Sequence, residues 1–291
     1  MNFRKYNKED RVKVIELLNL CLSRKNLDQI TNESFEWKHF DKYFENKTAT
    51  FVAEVNTRIV SFVCFNPFEL NDGEIIWNCS IQVTNPKFRR QGIVSKLTKL
   101  CQQGIVLISN KEQNSYLGFC NESGLQVDLN SKTIEHQIVG QFHRIIIFPS
   151  YFCFKNKTQS NENTELLTWN KNESYLNWKY ENNPKIKYQK ITNESWTIYY
   201  KESFFRVEIW DIVINADQPS EIISAINYVK KIFPTKIITM SYLFNSTTEF
   251  ISKQKLLFSI NRKIPIWLTV RSKNKQLLDN DYWLLFGGDI I

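Results

Sequence analysis

The sequence predicts an α/β (α+β) fold in which two similar halves follow one another along the chain. Apolar residues switch between strand spacing and helix spacing over roughly residues 1 to 145, and a similar order of elements returns afterwards. The segment Glu173–Tyr180 repeats the pattern of Glu33–Phe40, with one extra residue before its Trp-Lys pair. The chain has 291 residues, 42% of them hydrophobic and 23% charged, which suits two globular domains and excludes a disordered composition.

The first half reads as strand, two helices, three strands, helix, strand and a last helix over the region Glu122–Ser131. Apolar periodicity and turn residues predict strands over Asn2–Tyr6, Thr50–Glu54, Arg58–Phe65, Glu74–Val83 and Ser115–Cys120, and helices over residues 10–22, Glu33–Phe44 and Gly92–Leu107. Asn7–Asp10 supplies the first helix cap, and Asn56-Thr57 predicts a hairpin turn.

The turn between the fourth of these strands and the helix at Gly92 carries the clearest functional signal. The strand ends at Asn85-Pro86, because proline cannot continue a hydrogen-bonded ladder. A basic segment then leads into the helix through Gly92. Unpaired amides at a helix start, the positive end of its dipole and a glycine that permits close approach together predict an anion site. The alternative is an ordinary helix start with solvated arginines.

This stretch resembles motif A of the GNAT superfamily of acyl-CoA N-acyltransferases. The lead-in Val83-Thr84-Asn85-Pro86-Lys87-Phe88-Arg89 precedes the core Arg89-Arg90-Gln91-Gly92-Ile93-Val94, in which Val94 stands where Gly or Ala is usual. The resemblance spans roughly residues 1 to 145 and implies a mixed, mostly antiparallel sheet flanked by helices. It implies that acetyl-CoA or another acyl-CoA is the co-substrate.

The resemblance also assigns cofactor-binding residues. The pyrophosphate of CoA would be held at the turn, and the pantetheine arm would pair with the strand where the strands before and after the motif helix splay apart. Asn121, in the sequence Gly118-Phe119-Cys120-Asn121, would hold the pantetheine or the substrate, although it also suits a loop asparagine bonded to its own backbone. The assigned residues are Gln82, Val83, Thr84, Arg89, Arg90, Gln91, Gly92, Ile93, Val94, Ser95 and Asn121.

The second half is predicted to be a degenerate copy, which divides the chain into an acyl-CoA-binding domain (1–150) and a second GNAT-like domain (151–291). Two strands are expected over Trp196–Tyr200 and Phe204–Ile214, then a helix over Glu221–Ile232 and a strand over Lys236–Leu243. The segment 215–220 lacks Gly and Arg, so only the first half is expected to bind CoA. The closing segment 281–289 resembles tandem GNAT proteins of bacterial surface-polysaccharide synthesis, which implies a nucleotide-linked amino sugar as the acceptor.

Catalytic residues are less well defined. Asn78 stands where some members of the superfamily carry a glutamate base, and it cannot act as a base itself. The region Glu122–Ser131, where a tyrosine proton donor is common in the superfamily, has no tyrosine, so Tyr116 or a water would serve. His39, His136 and His143 are interpreted as polar-edge residues, and with no Cys-x-x-Cys pair the sequence predicts no metal site.

Composition limits the partners and the compartment. The net charge of +8 is dispersed, which does not indicate a nucleic-acid partner. No apolar run approaches a membrane span, and the polar N-terminus is no signal peptide, so a cytoplasmic protein acting on a small-molecule amine acceptor is expected. A homodimer is left open. Two alternatives remain: a non-catalytic CoA-binding or assembly module, and a Fem-type aminoacyl-tRNA-dependent transferase, which also pairs two GNAT-like halves.

Overall fold

The structure, a computed structural model, describes residues 1–22, 29–44, 47–120, 137–149, 168–214, 220–243 and 259–279, together with Trp283 and Leu285. The strands in chain order are β1 Asn2–Lys5, β2 Ala49–Val55, β3 Arg58–Glu69, β4 Ile75–Thr84, β5 Ser115–Cys120, β6 Gln137–Ile147, β7 Gln189–Thr192, β8 Trp196–Glu202, β9 Arg206–Ile214, β10 Ile237–Leu243 and β11 Ser259–Arg271.

The α-helices of the described residues are α1 Arg11–Cys21, α2 Asn32–Phe40, α3 Ile93–Ser109, α4 Glu173–Leu176, α5 Ser220–Ile232 and α6 Lys275–Leu278. Helix α2 ends at Phe40 and not at Phe44 as predicted, and a 3-10 turn over Lys42–Phe44 follows it. Its start is fixed by a capping box, in which Thr31 and Ser34 each satisfy the other's backbone N–H. The helix region expected over Glu122–Ser131 lies outside the described residues.

The described strands form one 11-stranded sheet in the order β1-β2-β3-β4-β5-β11-β6-β10-β9-β8-β7. Two neighbouring pairs, β4 with β5 and β9 with β10, are parallel, and every other pair is antiparallel. The predicted fold class, a mixed and mostly antiparallel sheet flanked by helices, is confirmed. Strand β3 is longer than predicted because its last residues pair with the start of β4.

The sheet divides into two halves of the same design. In each half three antiparallel strands lead to a helix and then to a strand parallel to the third: β2-β3-β4, α3, β5 in the first, and β7-β8-β9, α5, β10 in the second. The third strand carries a one-residue bulge in both, at Ser80 and at Trp210. The sequence prediction missed β7, so the two strands expected over Trp196–Ile214 correspond to β3 and β4, not to β2 and β3.

The last strands cross between the halves. Strand β6 follows β5 along the chain but lies beside β10, while β11 lies beside β5, and the two pair with each other at the centre of the sheet. The predicted division at residue 150 therefore follows the chain order, whereas the sheet interleaves strands from both sides of that point.

The repeated Trp-Lys segments meet where the two halves face each other. Trp37 Nε1 donates to the Trp178 carbonyl at 2.8 Å, and Trp178 Nε1 donates to the Trp37 carbonyl at 3.0 Å. The two indole rings are stacked with centroids 5.4 Å apart. The one-residue insertion before Trp178 is taken up by a π-helical turn over Asn177–Glu181, which continues α4. Reciprocal bonds of this kind are what a two-fold relation between repeated segments produces.

The helices cover the sheet on both faces. Helix α3 packs a stripe that includes Ile93, Leu97 and Cys101 against β2, β3 and β4. Helices α1 and α2 cover the opposite face of the same strands with Val14, Leu18 and Phe35. In the second half, the apolar face of α5 packs on β8, β9 and β10. The candidate site lies in the first half, at the edge of β4.

Candidate functional site

Strands β4 and β5 separate after a short parallel contact. They pair only over Ile76–Asn78 and Ser115–Leu117. Beyond Asn78, strand β4 stays paired with β3 as far as Thr84, and β5 stays paired with β11 as far as Cys120. The edge of β4 over residues 79–84 therefore has no strand beside it in the described part of the chain. An open strand edge can bind an extended ligand through its backbone groups.

The turn after β4 leads directly into helix α3. The Asn85 side chain accepts a hydrogen bond from the Lys87 amide at 3.1 Å and starts a 3-10 turn over Pro86–Phe88. Two residues then take the left-handed conformation, Arg90 with φ of +64° and Gly92 with φ of +70°. Gly92 is the N-cap of α3 and supplies no side-chain cap. This backbone path favours glycine because a Cβ is strained there.

The helix start leaves amides unpaired. The Lys96 amide donates to the Gly92 carbonyl at 3.1 Å, the first backbone bond of the helix. The amides of Ile93, Val94 and Ser95 have no partner within the described ranges. Unpaired amides at the positive end of a 17-residue helix attract an anion.

The side chains around these amides divide into two groups. Arg90, Gln91 and Ser95 are exposed, so their polar groups are available to a ligand. The Ile93 side chain is buried in the core against β4, and Val94 is half-buried. The residues assigned to the turn thus lie together, and those with buried side chains can contribute only their backbone.

Arg89 is exposed, and its guanidinium also makes a hydrogen bond to the backbone of β4. Its Nε donates to the Thr84 carbonyl at 3.2 Å, and the Cys21 thiol lies 3.5 Å from the same oxygen. The carbonyl at the end of β4 is therefore occupied from the α1 side. Gln82 is exposed and Val83 is buried among the residues of α1 and α2. Asn121 lies outside the described residues.

The two candidate catalytic residues face opposite sides of the sheet. Tyr116 is buried on the α3 side, where its ring contacts Phe65 and lies 5.7 Å from the Arg271 guanidinium carbon. Burial raises the pKa of Tyr116. Asn78 is fully buried, and its amide nitrogen and oxygen both lack a hydrogen-bond partner among the described residues. The structure therefore does not bring Tyr116 and Asn78 together.

A group of buried polar residues surrounds Asn78 on the α2 side. We call it the α2 polar cluster, and its members are His39, Cys64, Asn66, Asn78 and Ser80. Asn66 lies directly opposite Asn78 and donates to the His39 carbonyl at 3.1 Å, while the Cys64 thiol donates to the Asn66 carbonyl oxygen at 3.4 Å. His39 Nδ1 lies 3.1 Å from Ser80 Oγ.

The interpretation of the histidines as polar-edge residues is wrong for His39, of which 2% is exposed, and for His143, which is buried inside β6. His39 stands four residues after Phe35, and helical spacing places both on the buried face of α2. That spacing is the sequence signal from which the burial of His39 could have been predicted. His136 lies outside the described residues.

An acidic cleft opens beside α2. It has a volume of about 280 Å³ and combines Glu33, Glu36, Asp41 and Trp37 of the first half with Asn182 and Pro184 of the second. Carboxylates beside an aromatic ring can hold a protonated amine. In the described ranges, this cleft included, no group of three or more His, Cys, Asp and Glu side chains is placed to hold a metal ion. No described helix is both long and apolar enough to cross a membrane.

Comparison with known proteins identifies the fold. No protein family model matches the chain, and no curated protein matches it. A conserved Enterococcus faecalis V583 protein of unknown function, described as a probable N-acyltransferase, is similar over 94% of this chain and 73% of its own, with a TM-score of 0.68 and 11% identity. Two GCN5-related N-acetyltransferases are also similar. The one from Anabaena variabilis ATCC 29413 has a TM-score of 0.61 and 10% identity, over 94% of this chain and 73% of its own. The one from Kribbella flavida has a TM-score of 0.59 and 8% identity, over 94% of this chain and 71% of its own. The chain has the fold of these N-acetyltransferases.

Proposed function

We propose that this protein is an N-acyltransferase that transfers an acyl group, in the first instance acetyl, from acyl-CoA to an amine of a small acceptor. One observation carries the proposal: the open edge of β4 runs directly into a turn whose next helix presents unpaired amides. The fold shared with N-acetyltransferases supports the same reading. The sequence resemblance pointed to the same turn independently of the structure.

The two parts of the site suit the two parts of CoA. The amides of Ile93, Val94 and Ser95 would bind the pyrophosphate, with the exposed guanidinium of Arg90 supplying a charge-assisted contact. The pantetheine arm would lie against the open edge of β4 over residues 79–84. Val94 would contribute its backbone amide, and its side chain is half-buried.

Transfer needs a neutral amine, a polarised thioester carbonyl and a route for the proton. The unpartnered amide of Asn78, at the point where β4 and β5 separate, is a donor that the carbonyl oxygen could use as negative charge develops on it. Asn78 would thus be an electrostatic stabiliser and not a base. Tyr116 lies on the other face, and its assignment as donor to the leaving thiolate stays a prediction.

The acceptor that we propose is an amino sugar, most simply a nucleotide-linked one used in surface-polysaccharide synthesis. The acidic cleft beside α2 is lined by three carboxylates, of which Glu36 is already paired with Arg11 at 2.8 Å. The other two, Glu33 and Asp41, support an amine-bearing acceptor. The second half would serve as a wall of this acceptor site through Asn182 and Pro184. The identity of the sugar rests on the sequence resemblance alone.

Isothermal titration of acetyl-CoA and of free CoA tests the cofactor site. Arg90→Glu should abolish binding, and Arg58→Glu, an equal charge change in the exposed β2–β3 turn, should leave it intact. Unchanged affinity in Arg90→Glu would refute the assignment of the turn. Release of free CoA thiol is then followed with UDP-glucosamine, glucosamine and spermidine as acceptors. Tight CoA binding without turnover of any amine would favour a non-catalytic CoA-binding module.

A further inference from the structure

The α2 polar cluster contains a histidine and a serine in direct contact. His39 Nδ1 lies 3.1 Å from Ser80 Oγ, and Ser80 Oγ can also donate to the Cys64 carbonyl at 3.3 Å. The serine hydroxyl has one proton, so it either donates to His39 or accepts from it while donating to Cys64. The contact can therefore carry a proton in either direction without moving heavy atoms.

Ser80 is placed at the separating strands. It is the extra residue of the β4 bulge, since the register passes from Cys79 opposite Phe65 to Ile81 opposite Cys64. It also lies two residues beyond Asn78, the last residue of β4 that pairs with β5. Bulges change the direction of a side chain, and they are frequent next to active sites. The serine thus belongs to the part of β4 whose edge is open.

The neighbourhood of the pair is incompletely satisfied. Asn78, two residues before Ser80 on the same strand, is fully buried with neither amide atom bonded. Every other member of the α2 polar cluster has at least one hydrogen-bond partner inside it. Buried polar groups are nearly always paired, so this amide, next to the open edge of β4, supplies a donor and an acceptor that a bound ligand can satisfy.

The second half holds a contrasting contact one position further along its third strand. Tyr180 stands two residues after Trp178, as His39 stands two residues after Trp37, and its hydroxyl donates to Asp211 at 2.7 Å. Asp211 follows the bulge residue of β9 and is also bound by Lys171 Nζ at 2.6 Å. That network is ionic and closed. The corresponding contact in the first half is uncharged and borders an unpaired amide.

We propose that His39 is the base of the acyl-transfer reaction and that Ser80 relays the proton to it. As the amine nitrogen bonds to the thioester carbon, it releases a proton to Ser80 Oγ, and the Ser80 proton passes to His39 Nδ1. The carbon–sulfur bond then breaks, and the same proton returns through Ser80 to the CoA thiolate. The products are the amide and free CoA, and both residues regain their starting states.

The surroundings of His39 favour a neutral imidazole that can accept a proton. Burial holds the pKa of His39 well below its ordinary value, the charge of Lys38 on the same helix acts in the same direction, and the Asn66 side chain opposes both. On β3, the neighbouring Cys64 thiol has its pKa raised by burial to about 12 and stays uncharged. A returning proton also explains how the reaction proceeds without a tyrosine donor.

This inference rests on the proposed function, and the experiment separates the two. Acetyl-CoA binding is measured by titration calorimetry, and kcat is measured across pH with the best amine of the acceptor screen, for the full-length wild type, His39→Gln and Ser80→Ala. Both variants should bind acetyl-CoA as the wild type does, lose about 100-fold or more in kcat, and lose the acid limb of its pH profile. Ser80→Ala removes only one oxygen atom, so it tests the proton relay even if the larger change, His39→Gln, prevents folding.

Tyr180→Phe is the matched control. It removes the polar contact between Tyr180 and the third strand of the second half, so it should lower stability and leave the pH profile of kcat in place. Retention of kcat and of the acid limb in His39→Gln would overturn the inference while leaving the proposed function standing. Absence of turnover in a wild type that binds acetyl-CoA would overturn both, and absence of binding would already have refuted the cofactor site.

Discussion

Replacing Asn78 by leucine should make the protein more stable and less active. Leucine has the same branching as asparagine but no polar atoms. The two polar atoms of the Asn78 amide are buried and unpaired, and one unsatisfied buried amide group costs about 1–3 kcal/mol of folding free energy. Asn78→Leu removes that cost, so the free energy of unfolding should rise by about 1–3 kcal/mol.

Asn66→Leu is the matched control for this change. Asn66 lies directly opposite Asn78 on β3 and is equally buried, but its amide is bonded to the His39 carbonyl and to the Cys64 thiol. Its replacement leaves the His39 carbonyl without a donor. The free energy of unfolding should therefore fall by about 1–3 kcal/mol. The same substitution at two equally buried positions is therefore expected to change the free energy of unfolding in opposite directions.

Urea denaturation followed by circular dichroism measures both variants, with and without saturating acetyl-CoA. The advantage of Asn78→Leu should shrink with the ligand, because a bound ligand stabilises the wild type by an amount set by its affinity. Acyl transfer by this variant should fall about 100-fold or more, the usual effect of removing one oxyanion donor. A loss of stability in Asn78→Leu similar to that of Asn66→Leu would show that Asn78 is satisfied in the free protein, and the argument from it would fail.

Three further predictions concern stability. Asp211→Asn leaves a buried ammonium without its carboxylate, so urea denaturation should show a loss of about 3–5 kcal/mol with no change in acetyl-CoA affinity. Trp37→Phe and Trp178→Phe each remove one reciprocal bond, and a double-mutant cycle should give a coupling energy of about 0.5 kcal/mol or more; additive effects would contradict the paired geometry. Burial raises the pKa of Asp10, whereas the hydrogen bonds from Arg4 and from the Asn7 amide, with the charges of Arg4 and Lys13, lower it, and the net change is a decrease. Because the folded pKa is the lower one, the stabilisation is present above the unfolded pKa and is lost as pH falls. Asp10→Asn should therefore flatten the acid end of a pH–stability curve.

The sequence located the candidate site more reliably than it located the strand partners. The path from β4 through Gly92 to α3 could be predicted because each step has a local cause: a proline that ends the strand, a glycine that allows positive φ, and helical spacing afterwards. The predicted bounds of β5 are those observed. A site such as this turn can be predicted from one sequence because the residues that determine it are neighbours along the chain.

The pairing of β6 with β10 and of β11 with β5 had no such local cause. Both long strands are apolar enough to pair with several neighbours, and alternation within a strand determines which face is buried but not which strand lies beside it. Strand β7 was missed for another reason: its residues are mostly exposed and polar, so it gave no apolar signal. The partners of edge and exchanged strands are properties of the whole sheet.

His39 shows a different limit. Its spacing from Phe35 placed it on the buried face of α2, yet the residues that give it a role, Asn66, Asn78 and Ser80, lie 27 or more positions along the chain on β3 and β4. A histidine becomes a candidate base through the groups that face it and the solvent that is excluded from it. Those conditions were created by the sheet, and the sequence alone left them open.

The two halves share one architecture but differ in the polar contacts beside the bulge of their third strand. In the second half, the position next to the bulge is closed by an ion pair and a tyrosine, which satisfies Asp211 completely and rigidifies the packing. In the first half, the bulge residue Ser80 contacts the neutral His39, and both polar atoms of the Asn78 amide lack a hydrogen-bond partner among the described residues. Unpaired buried polar atoms also occur in the second half, where the indole N–H of the bulge residue Trp210 is one of them. The two halves therefore differ in what adjoins the unpaired group: in the first half it is a histidine–serine contact and the open edge of β4, and sequences depart from polar satisfaction where function requires it.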